Sequence, residues 1–118
     1  MAGLTTHVLD TSIGRPAAGV EIELHALGAD GVRKLIKRAR TNADGRTDAP
    51  LLSVAEGQVG TYELSFHVGA YFRQRGALTT EPPFFDVVPI RFAVADPGAY
   101  YHVPLAVTPW SYSTYRGS

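Results

Sequence analysis

Apolar and polar side chains alternate without a break in the stretch VEIELHA, residues 20–26. A period of two places the apolar members on one face of a β-strand and the polar members on the other. The same period recurs over residues 62–68, 88–94 and 101–107. Short strands of this kind, separated by glycine and proline, predict an antiparallel β-sandwich.

Two stretches between the predicted strands have their own local signals. The sequence GAYFRQRG, residues 69–76, is bounded by glycine and basic towards its end, which predicts a short helix that stops at Gly76. Asp44 and Gly45 form a pair that predicts a turn with positive φ at the glycine. No repeat, linker or low-complexity tract divides the chain, so residues 1–118 are predicted to form one domain.

Composition argues against several classes of function. The chain has 11 basic and 11 acidic residues, and a net charge of zero gives no electrostatic basis for binding nucleic acid or an anionic membrane. The absence of cysteine excludes a thiolate zinc site and a cysteine nucleophile. No stretch approaches the ~20 apolar residues of a membrane helix, and the first residues lack a secretory pattern. We therefore expect a cytoplasmic protein that binds neither nucleic acid nor a membrane.

Histidine and arginine are the residues that could carry chemistry. His25 shares a strand face with Glu21 and Glu23, and His67 shares one with Glu63 and Ser65. These polar neighbours predict a solvated strand face. His7 and His102 also point off the core side of their strands, and Arg46 follows a turn, but each is compatible with an ordinary surface position. The sequence has no His-x-His pair, no Gly-x-Ser-x-Gly motif and no phosphate-binding loop. We therefore expect no metal, no serine triad and no cofactor.

Five motifs, in order along the chain, resemble those of the 5-hydroxyisourate hydrolases, the transthyretin-like enzymes of purine breakdown. They are LTTHVLD (4–10), GRPA (14–17), TNADGR (41–46), YHVPL (101–105) and the terminal YSTYRGS (112–118). The Tyr-Arg-Gly-Ser terminus is the most specific of them, because it separates these enzymes from transthyretin, the hormone carrier of the same fold. Tyr100 departs from the family pattern, in which a further histidine is common at that position.

The resemblance implies a sandwich of two four-stranded antiparallel sheets with one short helix, assembled as a homotetramer, a dimer of dimers. It implies hydrolysis of the lactam C–N bond of 5-hydroxyisourate, which gives 2-oxo-4-hydroxy-4-carboxy-5-ureidoimidazoline, at sites between the dimers. By motif, the catalytic residues would be His7, Arg46, His102 and Ser118. The substrate-binding residues would be His7, Arg46, Tyr115, Arg116, Gly117 and Ser118.

This residue set suits the implied reaction. Histidine supplies a base near neutral pH, and arginine supplies a fixed cation for the oxygen that becomes negative during attack. The sequence leaves open which of His7 and His102 is the base. The small outward side chains of Pro104 and Ala106 would suit a sheet face that meets another subunit. Two other classes stay open, a carrier of a small aromatic ligand and an interaction module on a generic sandwich.

Overall fold

A computed structural model describes residues 2–53 and 58–117 as eleven strands and one helix. Most strands are short, as expected for a chain punctuated by glycine and proline. In chain order the elements are β1 (Ala2–Thr5), β2 (Val8–Asp10), β3 (Arg15–Pro16), β4 (Glu21–Leu27), β5 (Arg33–Arg40), β6 (Leu52–Ser53), β7 (Gly60–His67), α1 (Val68–Arg75), β8 (Val87–Val94), β9 (Tyr101–His102), β10 (Leu105–Val107) and β11 (Tyr112–Thr114).

The strands form three sheets. One is four-stranded and antiparallel throughout, in the order β5-β4-β7-β8. The second is four-stranded in the order β11-β10-β2-β3, and the third is three-stranded in the order β6-β1-β9. The predicted sandwich with two four-stranded sheets is therefore confirmed, with a three-stranded sheet in addition. The prediction of purely antiparallel sheets is wrong in one respect, because β1 pairs with β9 and β2 pairs with β10 in parallel.

The third sheet arises because one parallel strand pair is interrupted halfway. The offset between partners is 97 residues at Thr5 and His102, and it is the same at Val8 and Leu105. Backbone N–H groups of Val103 and Leu105 donate across the gap to the carbonyls of Thr5 and His7, at 3.0 and 2.9 Å. The second and third sheets are thus two halves of one layer.

Thr6 satisfies a backbone group at this interruption. Its buried hydroxyl donates to the carbonyl of Val103 at 2.6 Å. A buried carbonyl without a donor costs free energy, so this side chain replaces part of the missing ladder. The residues on either side, Thr5 and His7, consequently keep fixed positions relative to the segment that carries His102.

The core lies between the layers and follows the predicted period. Apolar residues from all four predicted alternating stretches are buried, among them Val20, Ile22, Leu24, Leu64, Phe66, Val88, Ile90, Val103 and Leu105. Helix α1 begins at Val68 and ends at Arg75, and Gly76 follows it in the left-handed conformation, as predicted. No helix among the described residues is long and apolar enough to span a membrane.

Two predictions about strand faces are wrong. Glu63 and Ser65 are 8 % and 4 % exposed rather than solvated, because arginines cover them. Arg33 and Arg91 lie 3.3 and 3.2 Å from the Glu63 carboxylate. Pro104, which was predicted to lie on an outward face open to another subunit, is buried within the chain itself.

The same outer face gives His25 and His67 specific partners. The ring of His67 lies 3.1 Å from the Glu23 carboxylate, and that of His25 lies 3.3 Å from the Arg33 guanidinium. Both rings are half-buried. A salt-bridge network therefore occupies the face that the sequence predicted to be simply hydrated.

Replacing Thr6 with valine tests the interruption. Valine keeps the shape of threonine but leaves the Val103 carbonyl without its donor. We expect the free energy of unfolding to fall by about 1–3 kcal/mol, measured by urea denaturation at one fixed protein concentration. The matched control is Thr11→Val, at an exposed hydroxyl with a 3.4 Å bond to Val107; we expect it to change stability by less than about 0.5 kcal/mol. Equal stability of Thr6→Val and the parent would contradict this account.

Candidate active site

Two polar residues predicted from the sequence line one cavity of about 400 Å³ at the interrupted strand pair. We call it the His102 cavity. Its walls come from β1, the turn before β6, and the segment around β9, and they consist of Thr5, Thr6, Arg46, Thr47, Tyr100 and His102. The volume lies in the range of small-molecule sites.

Strand pairing fixes the position of His102. It lies at the end of β9 opposite Thr5, with alternation directing Tyr101 into the core and His102 out of it. The ring Nδ1 lies 2.8 Å from the Thr5 hydroxyl. The imidazole is half-buried, so its orientation is restrained while part of it faces the cavity.

Arg46 lies in a turn that is stabilised by hydrogen bonds within residues 42–46. The side-chain oxygen of Asn42 accepts hydrogen bonds from the N–H groups of Asp44 and Arg46, and the Asn42 N–H donates to the Arg46 carbonyl at 2.7 Å. Gly45 has φ +74°, as the Asp-Gly pair predicted. A side chain at Gly45 would collide with the Val8 carbonyl, so only glycine lets this turn dock on β2.

His7 lies beside this turn rather than on the wall of the His102 cavity. A Cβ built at Gly45 would stand 3.3 Å from the His7 ring, so the imidazole packs against the turn that carries Arg46. The His7 ring is close enough to His102 to affect its ionisation electrostatically. The structure therefore places His7 and His102 near Arg46.

The end of the chain returns to His102. The N–H of Gly117 donates to the His102 carbonyl at 2.7 Å. A Cβ added to Gly117 would approach the His102 ring carbon Cδ2 to 2.5 Å, so any side chain would displace the imidazole. Ser118, predicted to be catalytic, lies outside the described residues.

Tyr115 and Arg116 occupy a different cavity, of about 340 Å³, between the open edges of the two layers. We call it the edge cavity; its walls include Phe92, Tyr101 and Thr114. The Arg116 guanidinium lies 4.3 Å from the centre of the Tyr101 ring and donates to the Tyr100 carbonyl at 3.4 Å. Substrate binding by Tyr115 and Arg116 stays a prediction, because these residues do not line the His102 cavity within one protomer.

The surroundings of His102 favour its neutral form. Burial lowers the pKa of the imidazole below its usual value, and the positive charge of Arg46 and the nearby His7 lower it further. Burial opposes a charged ring, and a like charge does the same. A neutral imidazole at neutral pH can accept a proton. The cavity thus combines a proton acceptor with a guanidinium, the two parts needed to activate water against a carbonyl.

Sequence reasoning missed four residues on this cavity wall. Thr5, Thr6, Thr47 and Tyr100 are polar and line the same space as His102 and Arg46. Only the parallel register between residues 4–10 and 101–107 would have shown that Thr5 faces His102. A single sequence does not reveal such a register, because strand pairing between distant segments has no local signal. Within the described residues, no three potential ligand side chains cluster as a metal site.

Residues 4–117 match the model of the HIUase/Transthyretin family. A 5-hydroxyisourate hydrolase of Deinococcus radiodurans is 57% identical over 116 residues, which cover 98% of this chain and 96% of that protein. Among solved structures, (S)-allantoin synthase superposes with a TM-score of 0.91 at 45% identity; the match covers 99% of this chain and 44% of that one. Sea bream transthyretin in complex with thyroxine superposes with a TM-score of 0.87 at 29% identity, covering 98% and 95%.

Replacing Arg46 with methionine tests the electrostatics of the cavity. Methionine keeps much of the length of arginine but removes the charge that opposes protonation of His102, so we expect the His102 pKa to rise. The measurement is an NMR titration of the histidine ring signals, of which the chain has four, with His102 assigned through His102→Gln. Arg73→Met is the control, because Arg73 pairs with Glu81 on the surface and should leave the titration unchanged. A His102 pKa that stays or falls in Arg46→Met would contradict the prediction.

Proposed function

Because the chain belongs to the HIUase/Transthyretin family and is a hydrolase, we propose that it cleaves the lactam C–N bond of 5-hydroxyisourate in purine breakdown. The observation that carries this proposal is the His102 cavity, in which His102, with its lowered pKa, and the Arg46 guanidinium face the same space. The 57% identity to a protein named 5-hydroxyisourate hydrolase supplies the substrate.

His102 is the general base in this proposal. Its imidazole takes a proton from a water molecule while the water oxygen forms a bond to the lactam carbonyl carbon. The C–N bond then breaks, and the proton returns from the imidazolium to the departing nitrogen. A base that is neutral at the working pH is required for the first step, and the environment of His102 favours that state.

Arg46 stabilises the negative charge that develops on the carbonyl oxygen. A guanidinium also matches the carbonyl-rich edge of a urate-like ring, because its N–H groups lie in one plane. The Asn42 hydrogen bonds hold the Arg46 backbone before substrate arrives, which lowers the cost of ordering it. His7, packed beside the turn, adds a second imidazole and helps to keep His102 unprotonated.

The C-terminal segment completes the proposed site. Gly117 covers one side of the His102 ring, and its N–H anchors the tail on β9. Arg116 secures the same tail through its contact with Tyr101. Ser118 follows directly and is proposed to contribute its hydroxyl and carboxylate to the cavity wall. Tyr115 and Arg116 are proposed to contact substrate only in the assembled oligomer, which is described next.

We further propose a homotetramer, a dimer of dimers. Strands β8 and β11 are the edge strands of their sheets and flank the edge cavity, so each presents unpaired backbone groups to a second copy. The exposed aromatic residues Phe84, Trp110 and Tyr112 lie near the same edge. Phe84 is close to Trp110, and the half-buried Phe85 is close to Tyr112. Symmetric pairing of such edges would bury both features.

The activity test uses freshly generated 5-hydroxyisourate, whose ultraviolet decay is followed with and without the protein. We expect His102→Gln to lower kcat by about 10²–10⁴-fold, the usual contribution of a general base. His25→Gln is the matched control, because His25 lies on the outer face of β4, and we expect it to keep kcat. Parental decay rates with folded His102→Gln would refute the proposed base, and no acceleration by the parent protein would refute the proposed function.

The assembly is measured by light scattering. We expect a particle of four times the 12.7 kDa chain mass, because the edge strands and the aromatic residues beside them need a partner surface. The measurement is made at the protein concentration used for the activity assay. A monomer with full activity would contradict both the tetramer and a site shared between subunits.

A further inference from the structure

A second residue controls which ring nitrogen of His102 can act as the base. Its Nδ1 lies 2.8 Å from the Thr5 hydroxyl oxygen. Thr5 is also the register partner of His102 in the parallel pair of β1 and β9, so the backbone itself holds the two side chains side by side. The contact therefore does not depend on a mobile loop.

The direction of this hydrogen bond follows from the neighbouring groups. The Thr5 hydroxyl donates its single proton to the Tyr100 hydroxyl, 3.4 Å away. With that proton engaged, the Thr5 oxygen accepts a hydrogen bond from the ring nitrogen beside it, so Nδ1 of His102 carries the proton. That distance is long, so the Tyr100 contact is the weaker of the two.

We propose that Thr5 is a positioning residue that holds His102 as the Nδ1–H tautomer and leaves the lone pair on Nε2. This inference rests on the proposed function in one respect, since it takes His102 as the base. A neutral imidazole has one donor nitrogen and one acceptor nitrogen, and the partner of one nitrogen decides the role of the other. Without Thr5, the ring could exchange tautomers or rotate, and a fraction of the enzyme would lack a base.

The side chain of threonine suits this role. Branching at Cβ restricts rotation about χ1, so the hydroxyl has few alternative directions. Serine would supply the same oxygen with more freedom, and valine would keep the shape without the oxygen. These two residues therefore separate the hydrogen bond from the packing.

The test compares Thr5→Val, Thr5→Ser and the parent protein by ¹⁵N NMR of the histidine rings and by kcat. In the parent we expect the His102 signals of an Nδ1–H tautomer. In Thr5→Val we expect a shift toward the Nε2–H form or a mixture, with kcat about 10–100-fold lower, as found when residues that orient histidines are lost. Thr5→Ser should restore the tautomer and most of the activity.

Thr11→Val is the control. Thr11 is an exposed residue directly after β2, so the loss of its hydroxyl should change neither the His102 tautomer nor kcat. If Thr5→Val does not fold, Thr5→Ala replaces it in the same comparison. A parent protein in the Nε2–H form, or an unchanged tautomer and kcat in the folded variant, would overturn the proposal. Absence of hydrolysis by the parent would refute the proposed function alone, since the nitrogen signals still decide the role of Thr5.

Discussion

The parallel pairing of residues 4–10 with residues 101–107 is the constraint on which the rest of the site depends. Two distant segments meet at one register, and the regular pairing is interrupted between Thr5/His102 and Val8/Leu105. The interruption frees side chains from the regular sheet while the backbone bonds on either side keep their positions. With a continuous hydrogen-bond ladder, the side chains of this region would pack like those in the rest of the layer. A loop would have left the histidines without fixed partners.

Electrostatics then gives the site its chemical character. Three basic side chains converge, while the described residues that line the His102 cavity include no carboxylate. Burial lowers the pKa of His102, and the charges of Arg46 and His7 lower it further, so the site favours an unprotonated imidazole. Among the described residues, several carboxylates pair with basic side chains elsewhere, as Glu63 does with Arg33 and Arg91. Asp10, fully buried, receives hydrogen bonds from Tyr71 and Ser12 and pairs with Arg75, which ties helix α1 to β2.

Local patterns in the sequence predicted most of the layer structure but not the contacts between distant segments. The alternation over residues 20–26 and the glycine after Arg75 act within a few residues, and the structure follows both. Burial of Glu63 depends instead on arginines from two other strands, and the contact between Thr5 and His102 joins segments almost a hundred residues apart. His7, Arg46 and His102 could be assigned roles from the motifs. Thr5 lies in the same motif as His7, but nothing in that motif shows that it faces His102. Its importance comes only from the residue it faces.

The fixed register also affects which changes of chain length the fold can absorb. Insertions or deletions in the turns between residues 11 and 100 change the length of the chain that connects the two paired segments. They leave the pairing of the segments itself intact. One residue added within 4–10 or 101–107 would instead shift one segment against the other and reverse the direction of the side chains beyond it. An insertion in the first segment just before His7 would, for example, turn that imidazole to the opposite face. Variation in length is therefore compatible with the site in the intervening turns and incompatible with it in these two short segments.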